Sequence, residues 1–125
     1  MESSGKSAVT AVRSTDEQDA ANADPRLAEL RDDCFNELKH LVLETGREMY
    51  PNKQIKGVNE IIPLQALKQI AEKLPTSRDT LKGIEYMTEY RLNLYAEVIL
   101  GVTTEYYERR MEYLTSQAQA NQIAR

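Results

Sequence analysis

The sequence predicts an all-α fold, a compact bundle of about five helices, and three observations carry that expectation. Apolar residues recur every three or four positions through most of residues 25–113. The periodic runs are bounded by helix start and stop residues: Asp24-Pro25 and Tyr50-Pro51, Pro63 and Leu74-Pro75, Ser77 and Gly83, then Thr88. No stretch shows the sustained alternation and β-branched enrichment of a strand. A chain of 125 residues has room for one such domain and a margin, and it contains no internal repeat.

Residues 1–24 are Ser, Ala, Asp and Gln with almost nothing large to bury, so they read as a disordered linker or an appended remnant. The domain is expected over 25–113. Asp24 suits an N-cap and Pro25 the first helical position. From there Leu27, Leu30, Cys34, Leu38, Leu41 and Thr45 form a stripe that Phe35 and Val42 widen. Gly46 is expected to loosen the end of this helix, and Tyr50-Pro51 to stop it. The segment PNKQIKGVNEII is irregular, polar at its start and apolar at its end, and should fold back onto the core. Pro63 opens a second helix with Leu64, Leu67, Ile70, Ala71 and Leu74 on one face. Thr76 or Ser77 caps a short third helix carrying Leu81 and Ile84. Thr88 caps a long helical segment whose buried line is Leu92, Tyr95, Val98, Ile99, Val102, Tyr106 and Met111, with a break into two helices expected near Arg91 to Tyr95. Residues 114–125 read as a frayed or disordered tail.

Composition narrows the function classes. With 16 basic and 20 acidic residues the formal charge is −4, so no global positive field attracts a polyanion. The apolar runs are far shorter than the roughly 20 residues that span a bilayer, and the N-terminus lacks the apolar core of a secretory signal. A lone cysteine, Cys34, excludes an intrachain disulfide and a multi-cysteine zinc site, and suits a reducing compartment. There is no Gly-rich phosphate loop. His40 lies six residues from Cys34, off the spacing that brings helical side chains together, and the adjacent Asp32 and Asp33 diverge. The expectation is a domain with no catalytic residues, no metal and no cofactor of its own.

The run LQALKQIAEKLPTSRDTLKGIEYMTEYRLNLYAEVILGV resembles the HRDC domain of RecQ-family helicases. That family's pattern is a helix of the form L-x-x-I-A, a break containing Pro, then L-x-x-I, then an R-x-x-x-Y-G-x-x-I-L helix. Leu67, Ile70, Ala71, Pro75, Leu81, Ile84, Arg91, Tyr95, Ile99 and Leu100 fill those positions. The Cys34-Phe-Asn-Glu-Leu38 run and the longer loop after it resemble the Bloom type most. The likeness covers Arg26 to about Tyr113. It implies a SAM-like helical array serving as a monomeric, nuclear accessory domain of an ATP-dependent DNA helicase. Its implied partners are single-stranded or branched DNA, bound weakly, and the helicase core of the same chain, with a part in Holliday junction processing. HRDC domains also occur in RNase D-type exoribonucleases, which keeps RNA open. Two positions depart from the pattern. Ala96 stands where the family has Gly, and Ile84-Glu85-Tyr86-Met87 replaces an I-x-G-V turn. Tyr tolerates a left-handed backbone far less readily than Gly, which counts against a phosphate-cradling form of that turn.

Between Arg26 and Tyr113 there are 13 basic and 15 acidic residues, so nucleic-acid contact needs a local cluster. Lys53, Lys56 and Asn59 sit together on the irregular segment, where lysines would meet phosphate and the amide a phosphate or base edge. Lys82 and Arg91 flank the turn before the last helix, and Bloom-type relatives carry a basic residue implicated in junction processing at the position of Arg91. Tyr86 and Tyr90, beside them, are candidates to stack on an unpaired base. The competing reading is a protein-interaction module whose acidic surface docks on the helicase core or a repair partner. Convergence of Lys53, Lys56, Lys82 and Arg91 on one face would favour the first reading.

Overall fold

The computed structural model describes residues 24–123. The expectation for residues 1–24 falls outside them except at Asp24. Four α-helices and one short 3-10 turn (Val58–Glu60) make up the described residues, and no strand occurs among them. The helices are α1 (Pro25–Met49), α2 (Leu64–Lys73), α3 (Arg78–Lys82) and α4 (Glu89–Ile123).

The start of α1 follows its local chemistry. Asp24 Oδ1 accepts from the Arg26 N–H at 2.9 Å, and Pro25 occupies the first turn, where a missing N–H costs nothing. At the other end the Tyr50 N–H closes on Gly46 O at 3.0 Å and Pro51 prevents continuation. Leu30, Cys34, Leu38, Val42 and Gly46, four apart, form its buried line against α4 and α2. Gly46 does not loosen the helix end as expected. It is buried, and a Cβ there would lie 2.5 Å from Ile61 Cδ1 and 3.3 Å from Tyr95 Oη. The glycine lets the irregular segment press directly on the helix.

Asn59 Oδ1 accepts from the Leu64 N–H at 3.0 Å, capping α2 from outside because Pro63 has no side chain to do so. Ala66, Leu67, Ile70 and Ala71 are buried, whereas Leu64 is exposed. Leu74 ends the helix in a left-handed conformation (φ 50°, ψ 61°), held by its own burial and by Pro75 after it. Ser77 Oγ accepts from the Thr80 N–H at 3.2 Å and starts α3. Ile84 and Met87 then plug the turn into the core.

The break expected near Arg91 to Tyr95 is absent. Thr88 accepts at both levels, Oγ1 from Arg91 N at 3.3 Å and O from Leu92 N at 2.9 Å, and α4 runs unbroken for 35 residues. No Pro lies in that helix and no Gly near the expected break, Gly101 being exposed further along, and Leu92, Tyr95, Ala96, Ile99, Val102 and Tyr106 make one continuous buried line. Met111, expected on that line, is exposed, and the segment from residue 114 read as a tail is helical to Ile123. Two tyrosines tie α4 back to α1: Tyr106 Oη donates to Glu37 at 3.1 Å, and Tyr113 Oη donates to Asp24 at 2.8 Å. The Tyr113 hydroxyl holds the Asp24 carboxyl below its ordinary value. That tie therefore contributes above the ordinary carboxylate range and is lost as pH falls through the depressed value.

One buried polar contact joins the α2–α3 link to α4. Thr103, with no exposed surface, donates from Oγ1 to Pro75 O at 2.6 Å. Replacing Thr103 with the near-isosteric Val strands that carbonyl and should cost about 1–2 kcal/mol. Urea unfolding measures it, and an unchanged midpoint would mean the carbonyl finds another donor.

Candidate nucleic-acid interface

Where the irregular segment crosses the start of α4, the surface carries a small cleft of about 120 Å³. Its walls are Tyr50, Lys53, Ile55, Glu60, Ile61, Tyr90, Arg91 and Tyr95. Two arginines build it by gripping backbone carbonyls of a segment that has little regular structure of its own. Arg47, in the last turn of α1, donates from Nε and Nη2 to Ile55 O at 3.2 and 2.9 Å. Arg91, in the first turn of α4, donates from Nε to Ile61 O at 3.0 Å and from Nη1 to Tyr86 O at 2.6 Å. Such forked donation from a fixed plane is what guanidinium does and ammonium cannot.

The phenols close the rim. Tyr50 and Tyr90, 40 residues apart, join hydroxyl to hydroxyl at 2.8 Å while both rings stay exposed. That bond, then burial, lifts the Tyr50 phenol above its ordinary value. Burial, then the Tyr90 phenol, does the same to Tyr95 on the inner wall. Tyr50 and Tyr95 therefore stay neutral near pH 7. Lys53 Nζ stands over the Tyr50 ring, 5.5 Å from its centre.

The residues expected to bind nucleic acid fare differently. Lys53 and Arg91 line the same cleft. Arg91 is half-buried and spends Nε and Nη1 on the fold, so it is first a clip and only through its remaining donors a candidate for phosphate. Asn59 spends its oxygen on α2, which leaves its amide N–H₂. Lys56 is exposed beside the cleft, its backbone N–H donating to Glu60 Oε2 at 2.9 Å. Lys82, exposed at the end of α3, does not line the cleft. Tyr86 is exposed and takes a left-handed backbone, φ 74°, the conformation a tyrosine resists. The turn keeps the shape the family's glycine would favour, held by the Arg91 bond to its carbonyl and by buried Met87. Sequence reasoning missed Tyr50 and Arg47. Tyr50 read only as a helix stop, and nothing local shows that its ring meets Tyr90.

Elsewhere the chemistry is quiet. Burial, with help from Glu37 and Glu105, pushes the Cys34 thiol up to about 12, so it is no nucleophile. His40 is exposed and pairs with Glu44 at 3.2 Å. Among the described residues no group of His, Cys, Asp and Glu is placed to hold a metal ion, and no helix is long and apolar enough to cross a membrane. A broader, open groove beside Arg26, Tyr107, Met111 and Tyr113 has its arginines occupied, Arg26 by Glu29 and Arg109 by Glu105, and adds Glu108 and Glu112.

Comparison with protein families matches the model described as HRDC domain to residues 31–103. No curated protein and no solved structure shows a significant match.

Two substitutions test this geometry. Arg91→Ala frees the Ile61 carbonyl and leaves Tyr86 O only its bond from the Thr88 N–H, so it should lower stability by about 1–2 kcal/mol, with Arg91→Lys recovering little of it. A wild-type unfolding midpoint for either would show that the clip contributes nothing. Tyr86→Gly relieves the left-handed strain and should raise stability by up to about 1 kcal/mol, after the entropy that glycine adds to the unfolded chain. A loss there would mean that ring packing outweighs the strain.

Proposed function

The chain belongs to the HRDC domain family, non-catalytic accessory domains of helicases and nucleases, and we propose that it serves a RecQ-type, Bloom-like DNA helicase by weakly binding single-stranded or branched DNA. The observation that supports this reading is the cleft between the irregular segment and α4. Exposed rings of Tyr50 and Tyr90 stand there beside Lys53 and Arg91, and Lys56 lies next to them. Aromatic faces stack on any unpaired base, while cations neutralise the backbone that carries it. A duplex hides its bases and offers such a cleft only phosphate.

The interaction is weak by construction of its charges. Three cations on a single strand imply a dependence of log affinity on log salt of only about −2. Glu60 on the cleft wall opposes them. In this reading the domain adds little affinity of its own. It biases an attached motor, the ATP-dependent helicase, toward substrates with exposed single strands, such as recombination junctions. It would do so in the nucleus, as a monomer, without a cofactor.

A second reading has its own support. Glu37, Asp33 and Glu105 act together on Tyr106, Cys34 or both, marking an acidic seam between α1 and α4. That seam suits a basic surface such as the DNA-binding face of the helicase core, with DNA contact by the domain negligible.

Fluorescence anisotropy of labelled single-stranded, forked and duplex DNA, titrated with this chain as salt is raised, separates the two. The DNA-binding reading expects single-stranded and forked DNA to be preferred. It also expects Lys53→Ala to flatten the salt dependence by about 0.7, and Lys82→Ala to leave it unchanged. No binding to any of the three, with binding to the isolated helicase core, would replace it by the docking reading.

A further inference from the structure

The cleft is closed at its rim by a bond that a stacking ligand has to break. Tyr50 sits at the C-cap of α1, its N–H committed to Gly46 O, and Tyr90 sits in the first turn of α4. Their backbones are therefore held by separate helices, and the 2.8 Å hydroxyl pair spans the space between them. The lining also includes Ile55 and Ile61 with the buried Tyr95 ring. The same lining carries the Lys53 ammonium, the Glu60 carboxylate and the Arg91 guanidinium, whose Nη2 has no hydrogen bond among the described residues. Aromatic and apolar walls that share a lining with two cations fit a planar heterocycle attached to a phosphate.

We propose that Tyr50 and Tyr90 form a gate that opens to admit one unpaired nucleobase, with its 5′ or 3′ phosphate against Lys53 and Arg91. The proposal rests on the DNA-binding reading above and goes beyond it in naming the unit recognised: a single unstacked base, not a run of backbone. The gate is physically cheap to open. Both rings are exposed, Tyr90 by 63%, so each hydroxyl recovers water when the pair parts, and the net loss is small. Stacking on one or both rings returns more than that. The ring positions change by side-chain rotation alone, because Arg47 and Arg91 hold the surrounding carbonyls in place. Strand selectivity follows directly, since a paired base cannot enter without leaving its duplex.

The gate makes an inverted expectation for conservative variants. Tyr50→Phe and Tyr90→Phe keep the stacking rings and remove the latch, so they should bind single strands roughly threefold tighter than wild type. Tyr90→Ala removes a jaw and should bind severalfold more weakly; at an exposed position it leaves the fold intact, which circular dichroism checks. The measurement is titration of the full chain into a single strand carrying one 2-aminopurine, read by anisotropy and by quenching of the stacked base. Phenylalanine variants that bind as wild type or more weakly would overturn the gate while leaving the DNA-binding reading in place. Binding without quenching would also overturn it, because the base would then lie outside the cleft. Absence of binding by wild type and all variants would instead remove the DNA-binding reading, and the gate with it.

Discussion

The Arg91 guanidinium holds together the part of this molecule where the candidate site lies. Its two carbonyl bonds reach 30 residues back to Ile61 and five back to Tyr86, so one side chain fixes the irregular segment, the turn before α4 and the start of α4 itself. Neither carbonyl belongs to a helix ladder; Tyr86 O also accepts from the Thr88 N–H at 3.1 Å, so it is Ile61 O that would be left without a partner, which is costly on a half-buried surface. Arg47 repeats the device from α1 at Ile55 O. Loops of this length acquire a defined surface only when something outside them satisfies their backbone, and here two cations do it.

That arrangement divides the positive charge of the domain into two kinds. Arg47, Arg78 and Arg91 are spent largely on internal partners, Arg78 on Glu89 and Asn93. The lysines at 53, 56 and 82 stay exposed. A net formal charge of −4 then leaves only a small local surplus for a polyanion. In the DNA-binding reading we propose, such a surface would act when tethered, where effective concentration replaces affinity. The left-handed Tyr86 belongs to the same economy: strain at a turn is tolerated where neighbouring bonds over-determine it.

Much of the architecture was legible in the residues. Asp24-Pro25, Ser77 and Thr88 start helices where expected, and Tyr50-Pro51 and Leu74-Pro75 end them, because caps and proline act through their own backbone neighbours. Leu30, Cys34, Leu38 and Val42, and Leu92, Tyr95, Ile99, Val102 and Tyr106, are buried as their spacing implied, while Leu41 and Val98 are partly buried. The misreadings share a cause. A break in α4, a buried Met111 and a loosening Gly46 were each inferred from one segment alone, and each depends on what packs against it.

The candidate site was legible only in its ingredients. Lys53, Arg91, Tyr86 and Tyr90 could be singled out because cations and aromatics near a turn are the groups that meet nucleic acid. The sequence by itself determined the all-helical class, the helix ends and most of the core, since these follow from interactions within a few residues. Only the tertiary structure decided which arginine is a clip, that Asn59 caps α2, that Tyr50 meets Tyr90, and that Lys82 stands apart from the cleft. Contacts between residues 30 or 40 apart leave no periodic trace in a chain, because they depend on how whole helices cross and not on what stands next in line.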